Sequence, residues 1–150
     1  HASMIMGGLG LSTYPDRCRL EVEHRLLPDQ PVEEIIRLWE DAIATFNAAD
    51  PDFNASVEVD FTRPGYEISR HAPVVQTLAH AYRNVVGKEP TFSGMFAWLD
   101  SAILGRAGIP TAIYGPRGEG AHAAVEYVEL DSVHRCAAVL ADAVSRWMSI

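Results

Sequence analysis

Between Cys18 and Leu26 apolar and polar positions alternate without a break. Cys18, Leu20, Val22, His24 and Leu26 fall on one face, and Arg19, Glu21, Glu23 and Arg25 on the other. A period of two predicts a β-strand with one wet face. The ASMIM stretch before it reads as another strand, separated by the turn-rich GGLGLSTYPD. Pro31 then opens a helix whose first turn holds Glu33 and Glu34, with Val32, Ile35, Ile36, Trp39, Ile43 and Phe46 along one stripe. NASVEVDF alternates again, with Ala55, Val57, Val59 and Phe61 facing one way. Strand, strand, helix, strand is most of a ferredoxin-like βαββαβ unit whose opening strand and helix are missing, which predicts that the chain starts inside a domain.

TRPGYEISRHAP, residues 62–73, reads as a linker, and the pattern changes after it. A helix is predicted from Pro73, carrying Val74, Val75, Leu78, Tyr82, Val85 and Val86, with Gly87 ending it. Another is predicted from about Trp98, stopped by Gly108 and Pro110. IPTAIYG is a continuous apolar run, the type buried on both faces of a parallel sheet. The last helix is predicted from Asp131 as N-cap through Val133, Ala137, Leu140, Val144 and Trp147. Helix, helix, strand, loop, helix is the closing part of an α/β domain, with too few strands to make its sheet.

Composition narrows the class. A chain of 150 residues, 48% hydrophobic and 21% charged, has the make-up of a globular protein that needs no disulfide staples. Its net charge of −8 and the absence of a basic run argue against nucleic acid and against an anionic membrane surface. No apolar run approaches the ~18 residues of a membrane span, and HASMIMGG lacks the basic region of a signal peptide. The two cysteines, Cys18 and Cys136, lack CxxC spacing and lie on predicted apolar faces, so buried thiols in a reducing, cytoplasmic setting are expected.

Chemistry concentrates in GPRGEGAHAAVEYVELD, residues 115–131, directly after the apolar run. In open α/β sheets ligands bind beyond the carboxyl ends of the strands, which is where this stretch would lie. Its glycines let backbone approach a ligand closely. His122 offers a neutral imidazole to a metal, and Glu126, four residues on, is a candidate second ligand or a partner that orients the imidazole. A lone loop histidine equally suits a surface position, and these residues alone leave both readings open.

Gly115-Pro116, the glycine-rich spacer, Ala121-His122 and Glu126-Tyr127-Val128 resemble the C-terminal signature of a metallopeptidase family: the acetylornithine deacetylases, succinyl-diaminopimelate desuccinylases and carboxypeptidase-like relatives. STYPDRCRLEVEHRLLP is similar to the lid segment of the same proteins, and SGMFAWLDSAILGRAGIPTAIYGP to the stretch that leads to their metal histidine. The resemblance runs through the chain in the family's order. It implies an α/β fold class in two parts: a partial ferredoxin-like lid and dimerisation domain over 1–63, then the closing helix–helix–strand–helix portion of a zinc-peptidase-like catalytic domain over 64–150. It also implies two zinc ions in the complete enzyme, with cobalt or manganese as alternatives, and none held tightly by this chain alone.

By the same resemblance His122 corresponds to the final metal ligand, and Arg25 to the lid arginine that grips the substrate carboxylate, a task suited to a planar, always-charged fork. Read as a strand residue alone, Arg25 pairs with Glu23 or Glu21. Asp100 matches an aspartate that caps a helix and shapes the pocket, and Gly94 and Gly115 let backbone approach the substrate. The family's remaining ligands and its catalytic base belong to motifs upstream of the region matched here: a His-x-Asp pair, a bridging Asp, a Glu-Glu pair and one further acid. Ser12 and Thr13 stand where some relatives have Asn before the lid proline. His24 is expected in the core; His71, His80 and His134 are expected on helix surfaces.

The expectation is therefore the C-terminal portion of a zinc-dependent deacylase acting on an N-acyl amino acid or small peptide. A homodimer through the lid sheet is implied, with no nucleic acid or membrane partner. A non-catalytic binding or dimerisation module is the alternative.

Overall fold

The computed structural model describes residues 1–149. Helices and two small antiparallel sheets make up a mixed fold, compatible with the α/β class, and the chain divides into two compact units, one over His1–Pro64 and one from Gly65 onward.

In the first unit β1 (Ala2–Gly7) pairs antiparallel with β2 (Cys18–Val22), with Ile5 opposite Leu20 and an irregularity between Ala2 and Met4. Beyond the ladder, the Glu23 N–H donates to the His1 carbonyl at 2.8 Å. Gly7 sits where the strands begin to part, and a Cβ there would lie 2.7 Å from the Arg17 carbonyl oxygen. Helix α1 (Val32–Ala49) starts after Pro31 and carries Glu33 and Glu34 in its first turn, where the helix dipole favours acids. Ile35 is its buried residue. The chain leaves α1 through an Asx turn, the Asp52 N–H donating to Asp50 Oδ1 at 3.0 Å, and Phe53 comes back onto Phe46 with ring centroids 5.8 Å apart.

Three expectations for this unit change. NASVEVDF forms no regular element and joins no ladder; Ala55 and Val57 are half-buried beside Ile43 and Ala44 of α1, and Asp60 accepts from Arg19 at 3.3 Å. Alternation sets which face is apolar; it does not supply a strand to pair with. The apolar face of β2 is open, with Leu20 and Val22 exposed and only Leu26 beyond it half-buried. Cys18 and His24 are accordingly exposed, whereas Cys136 is buried as expected.

The second unit is built on α2 (Pro73–Val86) packed against α4 (Leu130–Trp147). Pro73 at the first helical position and Gly87 at φ 72° bound α2 as the sequence predicts. The buried residues are small: Val75, Ala79 and Ala81 from α2, Ser132, Cys136 and Val139 from α4. Small side chains let two helices approach closely. On α4 this selects a ridge different from the expected one: Leu140, Val144 and Trp147 are exposed, and Ala137 with them. Two apolar ridges lie side by side on that helix, and the one made of smaller residues faces inward. The helix is preceded by Glu129, which occupies the N-cap position in place of Asp131.

Between these helices in sequence, α3 (Ser101–Arg106) is shorter than predicted. Gly108 at φ 77° ends it in a Schellman arrangement, its N–H donating to Gly105 and the Ile109 N–H to Leu104 at 2.9 Å. The IPTAIYG segment has no strand partner among the described residues, and Ile109 and Ile113 are exposed. One anchor of the segment is Tyr66, whose hydroxyl accepts from the Thr111 N–H at 2.9 Å and donates to the Thr111 carbonyl at 3.0 Å. The Tyr66 ring fills the space a side chain at Gly105 would need. No described helix is long and apolar enough to cross a membrane.

Removing the Tyr66 hydroxyl leaves both Thr111 backbone groups without that partner. Tyr66→Phe is expected to destabilise the second unit by about 1–3 kcal/mol in chemical denaturation, with the loss of protection centred on residues 109–114.

Candidate functional site

The stretch read as a loop is a short β-hairpin. β3 (Gly118–Glu119) pairs antiparallel with β4 (Tyr127–Val128), Gly118 opposite Val128 and Glu119 opposite Tyr127. One residue further out, the Glu129 N–H donates to the Arg117 carbonyl at 2.9 Å. The tip turns over 120–126, with the Ala123 N–H donating to Gly120 at 2.7 Å. His122 sits in that turn, exposed, and is the one non-glycine residue at positive φ (64°) among those described.

Two of the glycines are required by the hairpin's own backbone. A Cβ at Gly118 would run into the Tyr127 carbonyl oxygen, and one at Gly120, φ 78°, into the Val125 carbonyl oxygen. Both glycines are needed by the hairpin itself, so that its two backbones close on each other. Gly115 and Gly94 differ: a Cβ at either meets nothing within 4 Å, and neither has positive φ. Packing in this chain does not explain glycine at those two positions.

The stem is fastened to α4. The Arg117 N–H donates to Ser132 Oγ at 2.9 Å, and that hydroxyl lies 2.7 Å from the Glu129 carbonyl. Upstream, Tyr114 packs edge-on to Tyr82 of α2, ring centroids 6.1 Å apart. Burial raises the Tyr114 hydroxyl pKa above the ordinary tyrosine value; Cys136 and Tyr82 add to the rise and Arg135 opposes it. The phenol is therefore neutral through the physiological range.

The other candidates are spread along the chain. Glu126 opens the return arm of the hairpin, backbone against Gly120, and no hydrogen bond joins it to His122 among the described residues. Asp100 precedes α3; its carbonyl accepts from Ile103 at 2.9 Å and Leu104 at 3.1 Å, while its side chain makes no capping bond. Arg25 belongs to the first unit, where its Nε donates to Glu23 Oε1 at 2.9 Å, one of the two partners that strand alternation offers. His71, His80 and His134 are exposed.

As a donor, His122 suits zinc: an exposed imidazole on a turn with a defined backbone. No group of three His, Cys, Asp or Glu side chains able to hold a metal forms among the described residues. The residues present fit the contribution of one ligand and not a whole centre.

The sequence profile of peptidase family M20/M25/M40 matches residues 4–146. The chain belongs to this family. It is 31% identical over 148 residues to an acetylornithine deacetylase of Myxococcus xanthus, covering 98% of this chain and 37% of that protein. It is 26% identical over 158 residues to an N-formyl-4-amino-5-aminomethyl-2-methylpyrimidine deformylase of Halalkalibacterium halodurans, covering 97% and 37% respectively. An uncharacterized metallohydrolase of Methanococcus maripaludis is 24% identical over 144 residues, covering 88% and 35%. This M20-family chain thus spans little more than a third of the length of the curated relatives it matches. No solved structure matches it significantly.

Ser132 and the two-residue ladder are what sequence reasoning missed. The available signal was Glu119 and Tyr127-Val128 flanking a glycine-rich turn, with a serine in the first turn of the helix that follows.

The two classes of glycine separate in a substitution series. Gly120→Ala is expected to cost about 1–3 kcal/mol and to abolish amide protection at Glu119 and Tyr127. Gly115→Ala and Gly94→Ala are expected to stay within about 0.5 kcal/mol, both read by denaturation and amide exchange.

Proposed function

We propose that this chain is part of a metal-dependent amide hydrolase that removes the acyl group from an N-acyl amino acid or cleaves a small peptide. The observation that carries the reading is the family match from residue 4 to 146, which takes in the hairpin that presents His122. His122 contributes one metal ligand, and the other ligands and the catalytic base come from outside these residues. Zinc, when bound in such a centre, supplies Lewis-acid polarisation of a carbonyl and a water of lowered pKa. The chain's own part is to hold an imidazole at a set place and to bind the substrate's charge.

Arg25 has that second role in our reading. Glu23 is one of its present partners, and both side chains are about half exposed, 49% and 57%. Exposed ion pairs contribute about 0–1 kcal/mol, so a substrate carboxylate replaces Glu23 at little cost. Gly94 and Gly115, where no packing in this chain excludes a side chain, are assigned to backbone approach by the substrate. In this proposal Asp100 shapes the pocket and Glu126 supports the metal ligand. The β1–β2 ladder, with Leu20 and Val22 exposed, is the surface assigned to a homodimer.

The test is deacylation of N-acetylornithine and other N-acyl amino acids by the full-length protein. Chelation is expected to abolish activity and added zinc to restore it. His122→Ala is expected to lower kcat/KM by roughly 100-fold or more. Arg25→Lys, which keeps the charge and loses the fork, is expected to raise KM about 10-fold with kcat nearly unchanged. Activity indifferent to both chelation and His122→Ala would overturn the reading.

A further inference from the structure

We propose that Ser132 is the positioning residue for His122, clamping the stem of the hairpin to the first turn of α4. Three groups close a ring. The Glu129 N–H donates to the Arg117 carbonyl at 2.9 Å. The Arg117 N–H donates to Ser132 Oγ at 2.9 Å. The single hydroxyl proton of Ser132 has two carbonyls in reach, Glu129 at 2.7 Å and Arg117 at 3.2 Å. Glu129 is the nearer, and the Arg117 carbonyl is already served by the Glu129 N–H, so the proton goes to Glu129.

Burial strengthens the case. Ser132 is 5% exposed, and hydrogen bonds away from water hold better than those that compete with it. The other buried residues of α4, Cys136 and Val139, carry no strong hydrogen-bonding group. The hairpin cannot hold itself: its ladder has two residues per strand, and an isolated two-stranded ribbon is marginal in water. Its tip also carries His122 in the left-handed region, which a non-glycine residue adopts at a cost of about 1–2 kcal/mol. A short ribbon with a strained tip needs an outside fastening, and the described contacts give it the Ser132 ring, supplemented by an exposed Arg117–Glu129 ion pair at 3.7 Å.

The inference rests on His122 being a metal ligand for its functional weight, and the test separates the two. In the full-length protein, Ser132→Ala is expected to accelerate amide exchange about 10-fold at Arg117 and Glu129, to carry Glu119 and Tyr127 with them, and to shift the His122 resonances. Protection at Ala79, Ala81 and Val139 is expected to hold. Ser132→Thr, which keeps the hydroxyl, should restore the stem. In the full-length protein, Ser132→Ala should weaken zinc binding about 10-fold or more, read by calorimetry. Uniform acceleration across α2 and α4, or an unaltered stem with unaltered His122 signals, would show an ordinary helix-cap serine and overturn the proposal. Zinc binding that survives His122→Ala would remove the ligand reading, while the exchange pattern would still decide the clamp.

Discussion

Two helices come close only where the side chains between them are small, and α2 and α4 bury Val75, Ala79, Ala81, Ser132, Cys136 and Val139. Much else in the second unit depends on that approach. It selects which ridge of α4 turns inward, and so it buries Ser132 and brings Cys136 and Arg135 near Tyr114. Larger residues on either inward ridge would hold the helices apart and leave the Ser132 hydroxyl in water, where its bonds to the hairpin would compete with solvent.

From that base the site is assembled by backbone more than by side chains. Glycines at 118 and 120 allow the two arms of the hairpin to meet, and the arms meet through main-chain bonds extended by Arg117 and Glu129. Side-chain chemistry enters at one exposed position, His122. An arrangement of this kind suits a ligand delivered to a centre that other residues complete, because the imidazole is placed by its backbone and not by neighbours that would shield it.

Local signals were legible in the sequence, and pairing was not. Pro73, Gly87, Gly108 and the acids after Pro31 mark helix ends because each has a backbone reason to be there, and the structure has helices ending at those places. The strand at 18–22 follows from alternation. NASVEVDF and IPTAIYG fail as ladder strands because periodicity describes a face, while a ladder needs a second edge at the right distance. The α4 ridge was misjudged because hydrophobicity ranks Leu140, Val144 and Trp147 above Ser132 and Cys136, whereas close packing ranks by size. His122 was visible through its sequence surroundings. The bond from the Arg117 N–H to Ser132 spans 15 residues in sequence, and a local pattern marks the turn and the serine without pairing them.

The left-handed backbone at His122 also limits what chemistry the position can be given. Asn and Asp, like His, tolerate that region; β-branched residues are excluded from it, and residues with longer or bulkier stems enter it reluctantly. Among common metal donors, aspartate is thus the replacement the turn accepts most readily, while a thiolate would have to meet the backbone cost without the local hydrogen bonding that short polar side chains provide. On the proposed reading of His122 as a metal ligand, exchange of donors at this position would run toward harder oxygen ligands and the metals that favour them, and the turn's dihedral angle would act as a filter on metal preference.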